Sequence, residues 1–225
     1  MAAKKTLSIN APEFEVMEFT IKGTTPLILH AWDEKAKRMM LEKQTGKAAK
    51  TKHEVKIPYN DFINSLYWLT EKPEDGAFDE EAQENFENAI AKGAKFGFPI
   101  GGIKQAIITG AGRGGMDVKM TELRGSMFLE GNTEASTFDY AEIVGPAPIM
   151  REDMVKVGGM SKVADIRYRG EFRDWEIPLK MRINKNGKYT VEQLLNCVVL
   201  GGFVTGIGEW RPERDGQYGM FELVV

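Results

Sequence analysis

The chain has 225 residues, 42% of them hydrophobic and 28% charged, with a formal net charge of −3. That length suits one elaborated domain, and the composition excludes a disordered chain or a uniformly basic one. No stretch approaches the roughly 20 apolar residues that cross a bilayer, the opening residues lack a signal-peptide core, and the one cysteine, Cys197, excludes an intrachain disulfide, so a cytoplasmic protein is expected.

The first clear element is VMEFTIKGTTPLILH, Val16–His30, whose alternation and β-branched residues predict a strand reaching a Thr-Thr-Pro turn or bulge. The next segment, DEKAKRMMLEKQTGKAAKTKHE, predicts a helix that gives way after Gly46 to a basic loop. YNDFINSLYWL, Tyr59–Leu69, sets Phe62, Leu66 and Leu69 on one helical face. After a turn-rich TEKPEDGAFD, the stretch from Asp79 opens with acids and ends with lysines, which suits a helix dipole, and Gly97 is placed to stop it.

FPIGGIKQAIITGAGRGG predicts an apolar helix of about Gly101 to Thr109 between two glycine clusters, and the irregular pattern from Asp117 to Lys162 predicts hairpins projecting from the core. ADIRYRGEFRDWEIPLKMRI reads as two strands around a turn near Arg173–Asp174, and Asn186–Gly187 marks another turn. Thr190 with Gln193 three residues on is a capping box opening an apolar helix, and MFELVV closes the chain as a strand. The C-terminal third is therefore β-β-α-β, with the first strand of the chain expected in the same sheet.

Charge is segregated: Lys35–Lys56 holds eight Lys or Arg and two acids, whereas Glu71–Glu87 holds eight acids and one lysine. GAGRGG, Gly110–Gly115, matches the dinucleotide G-x-G-x-x-G pattern in letters only. It follows a helix rather than a strand, so no pyrophosphate would meet a helix N-terminus there. The two histidines, His30 and His53, lack partners at metal-ligand spacing, and no nucleophile motif is present, so neither metal nor cofactor is expected.

The residues that stand out are basic and aromatic. Alternation puts Arg167 and Arg169 on one strand face and Tyr168 on the other. Arg151, Lys156 and Lys162 precede them, and Trp210, Arg211 and Arg214 lie in a glycine-rich loop with Gly201, Gly202, Gly206 and Gly208. Guanidiniums follow a phosphate backbone and aromatic rings stack unpaired bases, while glycines imply a backbone that something approaches closely. The same residues also suit cross-strand ion pairs with Asp165, Glu171 and Glu176, and Trp175 and Trp210 also suit a core.

Three stretches, in order, resemble the RAMP superfamily, the repeat-associated proteins that form the RNA-holding backbone of CRISPR effector complexes. MEFTIKGTTPLILH is similar to their first strand, and FPIGGIKQAIITGAGR to their Gly-rich central helix, with Pro99, Gly101, Lys104, Ala106 and Arg113 in matching roles. LLNCVVLGGFVTGIGEWRPERDGQYGMFELV is similar to their closing helix, glycine-rich loop and strand, although EWRPERD interrupts the loop and the central helix lacks the family's Ser-Ser.

The resemblance implies an α+β fold of the modified RRM or ferredoxin-like kind. It implies one domain over residues 1–225, with insertions at about 33–58 and 111–163, the second forming a thumb-like hairpin. The expected function is sequence-independent, non-enzymatic binding of single-stranded DNA or RNA, by a stand-alone, phage-type protein in replication or recombination. The site would comprise Lys104, Arg113, Arg151, Lys156, Lys162, Arg167, Tyr168, Arg169, Trp210, Arg211 and Arg214. Head-to-tail self-association through the basic and acidic runs would make the binding cooperative. Two alternatives stay open: a metal-dependent, RNA-cleaving relative using Asp33, which follows the first strand, and a structural phage scaffold without nucleic acid.

Overall fold

The computed structural model describes residues 11–32, 34–46, 55–157 and 163–225. In chain order these form β1 (Phe14–Gly23), β2 (Leu27–Leu29), α1 (Glu34–Gln44), α2 (Pro58–Asn64), α3 (Asp79–Ala91), β3 (Phe96–Pro99) and α4 (Ile100–Arg113). There follow α5 (Met120–Ser126), β4 (Met127–Gly131), β5 (Tyr140–Ile143), β6 (Ile149–Val157), β7 (Val163–Phe172), β8 (Glu176–Asn184), α6 (Val191–Leu200) and β9 (Phe221–Val224). The fold is α+β with antiparallel sheets.

The main sheet has the order β4-β8-β1-β9, every neighbour antiparallel. Alternation makes it one-sided. Phe19 and Ile21 of β1 and Ile177, Leu179, Met181 and Ile183 of β8 are buried, while the residues between them are partly or fully exposed. Onto the buried face pack α4, through Ile103 and Ile107, and α6, through Leu194, Cys197 and Val198. The capping box read from Thr190 and Gln193 starts α6, each side chain meeting the other's backbone N–H.

Two smaller sheets complete the molecule: β2-β7-β6, and β3 paired with β5. The two strands read from Ala164–Ile183 are present but do not pair with each other. Arg173–Trp175 carries the chain from the second sheet into the first, and the buried Trp175 indole donates to the Thr25 carbonyl at 2.9 Å. The irregular 117–162 stretch is likewise distributed over all three sheets, with β4 as an edge of the main one, rather than forming one set of projecting hairpins.

Several boundaries move for local reasons. The helix read from Tyr59 ends at Asn64, because the Ser65 hydroxyl turns back onto the Phe62 carbonyl at 2.7 Å and the chain leaves toward β3. The acidic helix ends at Ala91, followed by Gly93 at φ 85°, so Gly97 is a strand residue instead of a stop. α4 runs on to Arg113, so GAGR of the glycine hexapeptide is helical.

The glycine cluster has an internal explanation. A Cβ on Gly110 would stand 2.6 Å from the Gly201 Cα, so the pair lets α4 cross the chain just beyond α6 at backbone contact. Gly202 abuts the Phe221 carbonyl, Gly206 faces Pro212 and Gly219, and Gly208 (φ 78°) faces the Ile28 carbonyl. The backbone approaching Gly201, Gly202, Gly206 and Gly208 is thus the protein's own.

Candidate nucleic-acid interface

Two basic and aromatic regions lie close along β7. In the first, Arg169, whose side chain is only 3% exposed, donates to Asp153 at 3.0 Å, lies 3.8 Å from Glu209 and sits 6.0 Å from the Trp210 ring centroid. Arg151 donates to Asp153 and Glu171, each at 2.8 Å, and stacks over Tyr218 at 4.7 Å. Arg173 completes the set on Glu171 at 3.1 Å. Burial works against the charge of Arg151, yet bonds to Glu171, Asp153 and Tyr218 outweigh it and raise its pKa; burial also opposes ionisation of Glu171, but Arg151 and Arg173 hold that carboxyl below its usual range.

Three arginines thus meet three carboxylates (Asp153, Glu171 and Glu209), and little charge remains for phosphate. The network's effect is to fasten the glycine-rich segment to β6 and β7. Arg169 therefore departs from the expected row of exposed guanidiniums: the loop carrying Glu209 and Trp210 covers it. Arg167, two residues earlier on β7, escapes that cover and is one-third exposed, 3.7 Å from Asp165.

The second region is open. Trp32, 60% exposed, stands between two adjoining clefts that share Ala31, Trp32 and Asn64. One, of about 360 Å³, is lined by Lys56, Arg167 and Tyr168 together with Asp61 and Asp165. The other, of about 510 Å³, is lined by Lys37, Lys72, Tyr67 and Tyr140, the two tyrosine rings lying 5.4 Å apart. Lys56 bridges Asp165 (3.3 Å) and Asp61 (3.6 Å), donates to the Ile166 carbonyl and lies 5.9 Å from the Tyr168 ring centroid. Burial, then the neighbouring Tyr140 and Glu209, pushes the Tyr67 phenol up, so it is a neutral donor at physiological pH.

Ser65 builds this wall. Its carbonyl accepts from Ala31 N–H at 2.8 Å and its hydroxyl from Gly170 N–H at 2.9 Å, pinning the exit of β2, the end of α2 and β7 together. Trp32 follows directly on the pinned Ala31 and stands in solvent. A third cleft, of about 600 Å³, is lined by Glu71, Glu74, Asp75 and Glu81 together with Lys72 and Lys92, so its acids outnumber its bases and it suits phosphate poorly.

Of the residues singled out in the sequence, Arg167 and Tyr168 line the open cleft, and Lys156 is exposed on β6. Arg151 and Arg169 belong to the internal network, and Trp210 lies over Arg169 with its own ring 41% exposed. Arg113 and Arg211 converge on Glu213, at 3.2 and 2.8 Å, with Arg214 exposed beside them. Lys104 is half-buried 4.9 Å from the Phe128 ring centroid, burial lowering its pKa. Lys162 and Asp33 lie outside the described residues.

Trp32, Lys56, Tyr67, Lys72 and Tyr140 were not singled out. The sequence does carry one signal for Trp32, a bulky indole placed directly before the charged run DEKAKR. Among the described residues, no group of three or more His, Cys, Asp or Glu side chains is arranged to hold a metal, and no helix is long and apolar enough to cross a membrane.

No known protein family matches the chain, and no curated protein does. Among solved structures it is similar to the crystal structure of Cmr6 from Pyrococcus furiosus, at 14% identity and a TM-score of 0.35, over 94% of this chain and 98% of that one.

Proposed function

We propose that this protein binds single-stranded DNA or RNA without catalysing a reaction on it, and does so in the paired clefts around Trp32. The observation that carries the reading is the exposed indole flanked by Tyr67 and Tyr140 on one side and Tyr168 on the other, with Lys37, Lys56, Lys72 and Arg167 at the walls. Unpaired bases have π-faces that stack on such rings, and the cations suit the phosphates between them. A duplex hides its base faces, so stacking of this kind favours a single strand. The carboxylates Asp61 and Asp165 temper the charge, which makes the stacking rings the larger share of the affinity.

The fold is read as a modified RRM or ferredoxin-like domain. Its support is the chain order β1-α4-β4-β8-α6-β9 with sheet order β4-β8-β1-β9, which is two βαβ halves interleaved in one antiparallel sheet. The remaining strands and helices are insertions into that frame, the long β6–β7 pair being the thumb. Several copies are needed to cover a long strand, and the acidic run Glu71–Glu87 offers a surface for the basic run of a neighbour.

The reading is tested by fluorescence polarisation of labelled single-stranded and duplex oligonucleotides. Binding is expected to prefer the single strand, to be indifferent to its sequence and to weaken as salt rises. Equal affinity for duplex, or no binding to either nucleic acid, contradicts it.

A further inference from the structure

The second sheet ends in a long edge with a defined pattern. β6 pairs along one side with β7, setting Glu152 opposite Tyr168, Met154 opposite Ile166 and Lys156 opposite Ala164. Two hydrogen bonds fix which residues face inward. The Ile166 carbonyl accepts from Lys56, and Gly170 N–H donates to the Ser65 hydroxyl, so on β7 these alternate residues direct their backbone groups away from β6. In an antiparallel ladder their cross-strand partners do the same on the far side. Met150, Glu152, Met154 and Lys156 therefore present both N–H and C=O at the outer edge, and no backbone hydrogen bond from another described segment reaches them.

We propose that this edge pairs with the same edge of a second copy, giving a two-fold antiparallel dimer centred on Met154. The occupant follows from the order of side chains. Pairing centred there sets Met154 against Met154 and Glu152 against Lys156 twice, once on each side of the axis. Met154 is 79% exposed in the single chain, and Glu152 and Lys156 are both exposed. A shift of the centre to residue 152 sets glutamate against glutamate, and a shift to 156 sets lysine against lysine, so charge selects one register.

The inward charges that guard many edge strands do not oppose this contact. Arg151 and Asp153 are already bonded to Glu171 and Arg169 within the chain, and they fall opposite Val157 and Val155 of the second copy. The result is one continuous six-strand sheet, β2-β7-β6 followed by its symmetric mate.

Sedimentation equilibrium of the full chain without nucleic acid tests the dimer. Met154→Pro removes an outward N–H and no bond of the β6–β7 ladder, so the chain should keep its circular dichroism and become monomeric. Glu152→Lys or Lys156→Glu alone replaces two attractive pairs with two repulsive ones and should raise the dissociation constant about tenfold, whereas the two together should restore it. A wild-type chain that stays monomeric at every concentration overturns the proposal. So does a dimer untouched by Met154→Pro, or a double charge reversal that fails to restore association. A short oligonucleotide that fits one molecule should bind Met154→Pro as it binds wild type, which separates failure of the dimer from failure of nucleic-acid binding.

Discussion

The Arg169 network and the Trp32 clefts are built from the same kinds of residue and both pair cations with carboxylates, but they differ in burial: the Arg169–Asp153 pair is hidden from water and the pairs around Trp32 are not. Around Arg151, Arg169 and Arg173, three carboxylates match three guanidiniums, and the loop carrying Trp210 closes over Arg169, while Arg173 stays at the surface. Around Trp32, Lys56 pairs with Asp61 and Asp165, Arg167 with Asp165 and Lys72 with Asp75, all between partly exposed side chains, and the ring stays in solvent. A guanidinium next to an aromatic ring is thus no sign of nucleic-acid binding by itself. Whether charge is spent inside the fold or left at its surface decides the role.

The largest expected effect breaks the internal member of the pair. Asp153→Ala leaves the Arg169 guanidinium buried and without its main partner, and should cost about 3–5 kcal/mol of stability in denaturant unfolding. Nucleic-acid affinity of the folded fraction should hardly change. A stable variant that has lost binding would move the network to the interface and dissolve the distinction.

A smaller effect is expected where the glycine loop is fastened. A methyl at Gly202 meets the Phe221 backbone and should cost about 1–3 kcal/mol, whereas Gly101, with nothing within 4 Å, should accept alanine with a slight gain. Comparable thermal midpoints for Gly202→Ala and Gly101→Ala would show that close approach is not why glycine stands at 202.

Acid sharpens the comparison differently. Arg151 and Arg173 hold Glu171 below its ordinary 4.5, so the unfolded chain binds the proton first as pH falls. The stability contributed by this pairing is complete above that value and is lost as pH drops below it. Thermal midpoints should therefore decline on acidification below about pH 4.5, and Glu171→Gln should flatten that decline, whereas an unchanged profile would contradict the pairing.

Much of the main sheet was legible from local chemistry. The Val16 strand, the capping box at Thr190 and the closing strand each carry a pattern that short-range sterics enforce, and all three fall where read. What was not legible depends on pairing between distant segments. Nothing local in RYRGEF says that Arg169 bonds Asp153 of the neighbouring strand and approaches Glu209 from another loop, while Arg167, directly opposite Asp153, pairs with Asp165 instead. Nor does any spacing announce that Ser65 draws Trp32, Tyr168 and Asn64 to one wall, because the bonds concerned join residues 31, 65 and 170.

A modest effect isolates the open cleft's charge. Arg167→Gln removes one partly exposed cation and should lower the slope of log affinity against log salt by about 0.7–0.9 with little change in melting temperature. An unchanged slope would place Arg167 outside the phosphate path.

The most direct measurement is a titration of a labelled single-stranded oligonucleotide with wild type, Trp32→Ala and Trp210→Ala, each checked for folding by circular dichroism. If bases stack in the open clefts, Trp32→Ala should lose about 1–3 kcal/mol of binding with its fold intact, and Trp210→Ala, whose ring lies against Arg169, should keep its affinity. Full affinity in Trp32→Ala together with loss in a folded Trp210→Ala would contradict the assignment of the interface to the Trp32 clefts.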